Sequence, residues 1–242
     1  MKSFETLLEG KYNYLQDGKV YSEENFTLKK EDKPNGDYLL EAETLTRTRT
    51  GEFLKTIIQY GFTEKYLSTQ IKVQRLLGPR ASEEYIRVNQ REKTCHYTFT
   101  SDDVKRNKEI YFTGYLYFAT PCFCASMLMT QMKKIDPVHR TQYSILSSEN
   151  IWEYKDQIKD HDVYVEIQEL EPVNIQIGTN NLKATHCKLL QVDENGTIAT
   201  EGHNIFLSKY HSIPYRGIFD NGIVIEIDSL KNFESKYKNI FR

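Results

Sequence analysis

The sequence predicts a mainly β protein: a single large curved antiparallel meander, in effect a half-open β-barrel, with a short central helix and a C-terminal helix. Turn signals recur at short intervals, among them Asp17-Gly18, Asn35-Gly36, Asn195-Gly196 and Asn221-Gly222. Asn-Gly and Asp-Gly suit type I′ hairpins because both central residues need positive φ. The segments between them alternate in side-chain character, as half-buried strands do. The chain also carries 17 Tyr and 12 Phe in 242 residues. Aromatic rings favour strands, and Tyr suits a half-wet sheet because its ring packs while its hydroxyl stays hydrated.

Taken in order, Asp17-Gly18 separates a segment around Tyr12 and Tyr14 from one over Val20–Leu28, and Asn35-Gly36 introduces Tyr38–Thr50. Phe53–Tyr60, Tyr66–Leu77, Tyr85–Gln90 and Thr94–Phe99 continue the meander, with Gly78-Pro79 as a break. Sequential strands joined by short turns pair antiparallel with their neighbours. Asp102–Lys108 reads as a polar turn and Glu109–Ala119 as a strand. Thr120-Pro121 then fits a helix start, since Thr caps well and Pro at the first position loses no helical bond. The helix is expected over Cys122–Lys134, stopped by Asp136-Pro137. Strands resume at Gln142–Leu146, Ile151–Ile158, Val163–Gln168, Val173–Ile177, Leu182–Val192, Thr197–Lys209 and Ile223–Ile227. Asp228 or Ser229 is expected to cap a final helix with Leu230, Phe233, Tyr237 and Ile240 on one face. No low-complexity linker appears, so residues 1–242 are read as one β-barrel-like domain.

Composition narrows the function classes. A formal net charge of −2 gives no general attraction to nucleic acid or anionic membranes. No run approaches the ~18–20 apolar residues that cross a bilayer as a helix. The N-terminal residues lack the apolar centre and cleavage site of a signal peptide. Four cysteines are sparse for a secreted disulfide scaffold. For the chain as given, these features place it in the cytoplasm. Phosphate-binding glycine loops are missing from the sequence, and no cofactor is expected.

The chemistry-bearing residues are scattered. Cys95-His96 and His186-Cys187 are adjacent pairs on strands, so the members of each pair point to opposite faces. Cys95 would meet Cys187, or His96 meet His186, only if their strands were neighbours. No zinc-ligand spacing is present, and no metal is expected. Carboxylate pairs such as Glu23-Glu24, Glu83-Glu84 and Asp102-Asp103 sit beside turns or strand ends and read as solvated. No catalytic residue is assigned. Arg47 and Arg49 share one strand face with Leu45. They would clamp a carboxylate or phosphate head, or else form a solvated edge beside Glu41 and Glu43. Met127 and Met132, with Phe123 and Leu128, are ordinary core or the wall of an adaptable pocket, since thioethers repack at little cost. Trp152 and Tyr154 share a strand face and serve as sheet packing or as a ligand platform.

Four stretches carry a family resemblance. Glu9-Gly10-Lys11-Tyr12-Asn13-Tyr14-Leu15-Gln16-Asp17-Gly18-Lys19 resembles a first hairpin, and Thr120–Lys134 sits where a helix interrupts the meander. Val173-Asn174-Ile175-Gln176-Ile177-Gly178-Thr179 with Cys187-Lys188-Leu189 resembles a late strand-Gly-Thr-strand unit. Ile205-Phe206-Leu207-Ser208 and Ile213-Pro214-Tyr215 resemble the closing strand and the Pro-containing segment after it. Together they resemble a bacterial family of unknown function that folds as a half-open β-barrel, architecturally related to lipoprotein-localisation carriers. The resemblance implies a curved sheet around a concave, partly apolar face, and supplies no catalytic residues. The reading is therefore non-catalytic binding of a lipid-like or other hydrophobic small molecule, with Arg47, Arg49, Met127, Met132, Trp152 and Tyr154 as ligand-binding residues. The alternatives are an isomerase, cyclase or hydrolase acting in the same cavity, and an interaction module whose exposed sheet edge would permit a homodimer.

Overall fold

The computed structural model describes residues 3–234 apart from 103 and 194. Their backbone is almost entirely extended and forms one 16-stranded, mostly antiparallel, open sheet. The first half is a meander of β1 (Phe4–Gln16), β2 (Lys19–Glu31), β3 (Tyr38–Arg47), β4 (Phe53–Phe62), β5 (Ser68–Leu77), β6 (Arg80–Asn89), β7 (Thr94–Ser101) and β8 (Val104–Tyr111). Each strand of this half pairs with its neighbour in sequence. The second half comprises β9 (Leu116–Phe118), β10 (Thr141–Ser148), β11 (Ile158–Ile167), β12 (Val173–Ile177), β13 (Asn180–Gln191), β14 (His203–Leu207), β15 (Pro214–Ile218) and β16 (Ile223–Asn232). Its order is β16-β15-β14-β13-β11-β10-β9, with β12 hydrogen-bonded to β13 alone. The first strand and the last join the halves, because β1 pairs antiparallel with β16. The sheet ends at β8 on one side and at β9 on the other.

Alternation sets the two faces. Leu40, Ala42 and Thr44 of β3 point inward, as do Ile58 and Tyr60 of β4, Ile71, Val73 and Arg75 of β5, and Cys95, Tyr97 and Phe99 of β7; all are buried. Between β1 and β2 the two-residue turn is Asp17 (φ 51°) and Gly18 (φ 72°), which places Gln16 opposite Lys19. This is the positive-φ pair a type I′ hairpin needs. Gly78-Pro79 likewise leaves Leu77 opposite Arg80. Asn35-Gly36 differs from expectation: the connection is wider, closed by a hydrogen bond from the Glu31 amide to the Asp37 carbonyl at 2.8 Å.

Four expectations need correction. The polar stretch after Asp102 is an edge strand, β8, whose Lys105, Arg106 and Asn107 face solvent. Charges on an edge discourage pairing with other chains, which is why no apolar alternation marks this strand. The expected strand over Glu109–Ala119 is broken by a turn at Gly114 (φ 67°), leaving three residues as β9. Trp152 and Tyr154 lie in a loop, because Asn150 organises the chain there. Its amide nitrogen donates to the Tyr97 hydroxyl at 2.8 Å, and its carbonyl oxygen accepts from the Lys155 amide at 2.6 Å. The expected C-terminal helix is overturned where it can be judged. Asp228, Ser229 and Leu230 belong to β16, whose pairing with β1 outcompetes the helical spacing; Tyr237 and Ile240 lie outside the described residues.

The central helix is present in reduced form. It consists of a 3-10 turn at Phe123–Ala125 and one α-turn, α1 (Met129–Met132). This segment is a plug inside the curved sheet, fastened at both ends. Glu24 of β2, fully buried, accepts hydrogen bonds from the amides of Phe123 (2.8 Å) and Cys124 (2.9 Å) and from the Tyr14 hydroxyl. The Phe123 ring meets Tyr12 edge-on at 5.3 Å and lies against Gly217 of β15, where a Cβ would come within 2.7 Å of it. Glycine is required there by close approach. At the far end, the Tyr143 hydroxyl donates to the Lys133 carbonyl at 2.7 Å.

Candidate functional site

The plug fills the concavity beside β1, β2 and β15. Further along the sheet, between β4–β6 and the facing β9–β10 segment, a cavity of about 600 Å³ remains. Leu54, Ile71, Val73, Ile86, Phe118 and Leu146 form its apolar walls. The β5 and β6 residues arrive there by period-2 alternation, since Ile71, Val73 and Arg75 share one sheet face with Glu84 and Ile86, Ile71 lying opposite Ile86 and Val73 opposite Glu84.

One corner of the cavity is polar. Arg75 of β5 and Glu84 of β6 are diagonal neighbours, Glu84 standing opposite Val73, and they form an ion pair at 2.6 Å, with side chains 10% and 4% exposed. The other Glu84 oxygen accepts from the Tyr97 hydroxyl at 2.7 Å, and Tyr97 lies 3.2 Å from the Ser148 hydroxyl. Burial pushes the Tyr97 phenol above its ordinary value, and the Glu84 charge raises it further. A buried pair of this kind is costly to break, because removing one partner strands the other charge. Exposed Lys155 and Glu149 stand among the remaining lining residues.

The six residues singled out from the sequence do not converge on this cavity. Arg47 ends β3 on the outward face and Arg49 follows in the turn; both are exposed, opposite in direction to Leu40, Ala42 and Thr44. Met127 is fully buried and Met132 partly so, both within the plug. Trp152 and Tyr154 line a separate depression of about 440 Å³ with Arg80 and Arg106. There the Arg80 guanidinium stands 4.7 Å over the indole ring. Their loop neighbours Ile151 and Lys155 do line the main cavity, so this segment is the wall between the two hollows. Sequence reasoning missed Arg75 and Glu84. The available signal was a charged residue on the otherwise apolar Ile71-Val73 face, with Glu84 placed across the Gly78-Pro79 hairpin.

Two other polar groups belong to the architecture. Burial pushes the Cys122 and Cys124 thiols well above their ordinary value, and the nearby Glu24 charge adds to this, so both remain protonated thiols in the plug. Tyr66, His211 and Glu234 form a hydrogen-bonded row that ties the β14–β15 loop to the β4–β5 connection. Cys95 and Cys187 lie on strands that are not neighbours. Among the described residues, no group of three or more His, Cys, Asp or Glu could hold a metal ion.

Fold and cavity together define a β-barrel-like protein with an open, concave sheet. No protein-family model matches the chain, and no curated protein matches its sequence. Among solved structures it is similar to the crystal structure of a beta-barrel-like protein of domain of unknown function DUF1849 from Brucella abortus. The TM-score is 0.59 at 8% identity, covering 95% of this chain and 98% of that one. A DUF1089 family protein from Pseudomonas aeruginosa is also similar, with TM-score 0.43 at 10% identity over 74% of this chain and 88% of the other. At such identities the first likeness is one of fold, and fold does not carry function. It accords with the expected β-barrel-like protein from a family of unknown function. Among the described residues, no helix is long and apolar enough to cross a membrane.

Proposed function

We propose that the chain is a non-catalytic binding protein, folded as one domain, that holds a lipid-like or other hydrophobic small molecule in the cavity between β4–β6 and β9–β10. The observation that carries this reading is a hollow of about 600 Å³ whose apolar residues, Ile71, Val73, Ile86, Phe118 and Leu146 among them, stand beside a buried polar corner at Arg75 and Glu84. Small-molecule sites have this size and makeup, roughly 300–1,000 Å³ with a few orienting polar groups. Four free, buried cysteines suit a reducing cytoplasm.

The test is uptake of the neutral fluorophore N-phenyl-1-naphthylamine by the wild type and by Val73→Trp, which fills the cavity from its wall. Saturable enhancement in the wild type and its loss in the folded variant are expected. Equal uptake by both would place the dye elsewhere and defeat the reading.

A further inference from the structure

We infer that the ligand is a neutral amphipathic molecule, an acyl chain carrying an ester or amide, whose carbonyl oxygen is received by Arg75. This deepens the binding reading and rests on it. Arg75 is about nine-tenths buried and lines the cavity. A guanidinium has five N–H donors, yet its one hydrogen bond among the described residues runs from Nη1 to Glu84. The remaining donors sit in a corner whose acceptors are already engaged, because the two Glu84 oxygens take Arg75 and Tyr97. The corner therefore offers donors and asks for an acceptor.

Charge decides which acceptor. Arg75 is neutralised by Glu84, and the two exposed charges of the lining, Lys155 and Glu149, are of opposite sign. These four groups sum to zero. A ligand carboxylate at Arg75 would add an uncompensated negative charge beside a pair whose side chains are only 10% and 4% exposed, and such a charge is costly to bury. A neutral carbonyl meets the open guanidinium donors and leaves the balance intact. The apolar walls of Ile71, Val73 and Leu146 then take the chain.

Isothermal titration calorimetry at pH 8, with delipidated protein and both lipids below their micellar range, would compare monolaurin with laurate. They share an acyl chain and differ in the head. Monolaurin is expected to bind at least about tenfold more tightly, in line with one charge-assisted hydrogen bond gained and no charge buried. Arg75→Met combined with Glu84→Gln removes both charges without stranding either. It should weaken monolaurin by about tenfold and leave laurate unchanged. Arg75→Lys keeps the ion pair but loses the planar fork, and should give part of that loss; it serves if the double variant does not fold. Laurate binding as tightly as monolaurin, or monolaurin binding unaffected by these variants, would overturn the inference while dye uptake still upheld the cavity. Failure of both lipids with dye uptake intact overturns the inference alone, and failure of lipids and dye together overturns the cavity reading as well.

Discussion

The two halves of the sheet are held together by different means. From β1 to β8 the strands follow one another in sequence, and from β2 to β7 their buried faces repeat with period 2 over eight to thirteen residues. From β9 to β16 several strands are only three to five residues long, β9 runs parallel to β10, and β12 leaves the main path. Short strands gain little from their own ladders, so this half leans on the plug, with Phe123 seated on Gly217 and Glu24 holding the plug amides. Local pairing stabilises the first half, and long-range contact stabilises the second. The cavity lies where β4–β6 of the first half face the β9–β10 segment of the second.

The largest consequence of that contrast follows from removing the Phe123 ring. Phe123→Ala should cost about 3–5 kcal/mol, measured by chemical denaturation. Hydrogen exchange should quicken first in β14–β16 while β4–β6 stay protected; uniform loss of protection would erase the contrast. Glu24→Ala leaves the Phe123 and Cys124 amides buried without their acceptor, and an expected loss of about 3 kcal/mol should appear in the same regions.

The same carboxyl carries a pH dependence. Burial pushes Glu24 above its ordinary 4.5, against the pull of its hydrogen bonds from Cys124 and Tyr14. Because the folded value is the higher one, its contribution to stability is full below 4.5 and declines as pH rises through the raised value. Thermal melts of the wild type and Glu24→Gln should show the wild type losing ground to the variant over that rise. A wild type that gained ground instead would reverse the sign.

Gly18→Ala tests the meander on its own terms. At φ 72° an alanine is strained, and the cost should be about 1–2 kcal/mol, confined in hydrogen exchange to the β1–β2 end. The smallest effect is expected from Arg47→Ala with Arg49→Ala. Both side chains face solvent, so stability should move by less than about 0.5 kcal/mol and dye uptake should not change.

The same contrast explains what was legible in the sequence. Asp17-Gly18 and Gly78-Pro79 encode their hairpins locally, so the meander could be read from them. The run of Leu40, Ala42 and Thr44 marked its inner face for the same reason. Trp152 and Tyr154 alternate like a strand, but Asn150 recruits Tyr97 from β7, a contact that no window around residue 152 contains. The helical spacing through Leu230 failed similarly, since β1 lies more than 200 residues away and pairs with that segment. The polar corner was hidden because Glu83-Glu84 reads as a solvated pair until β5 places Arg75 beside the second carboxylate. Arg47 and Arg49 attracted attention by sharing a face, but only the curvature of the sheet reveals which face is concave.

The most direct test of the cavity as a binding site is native mass spectrometry of freshly purified protein, followed by organic extraction. One apolar adduct per chain is expected, released into the organic phase and absent from Val73→Trp. A bare mass that stays bare after incubation with monolaurin and with N-phenyl-1-naphthylamine would contradict it.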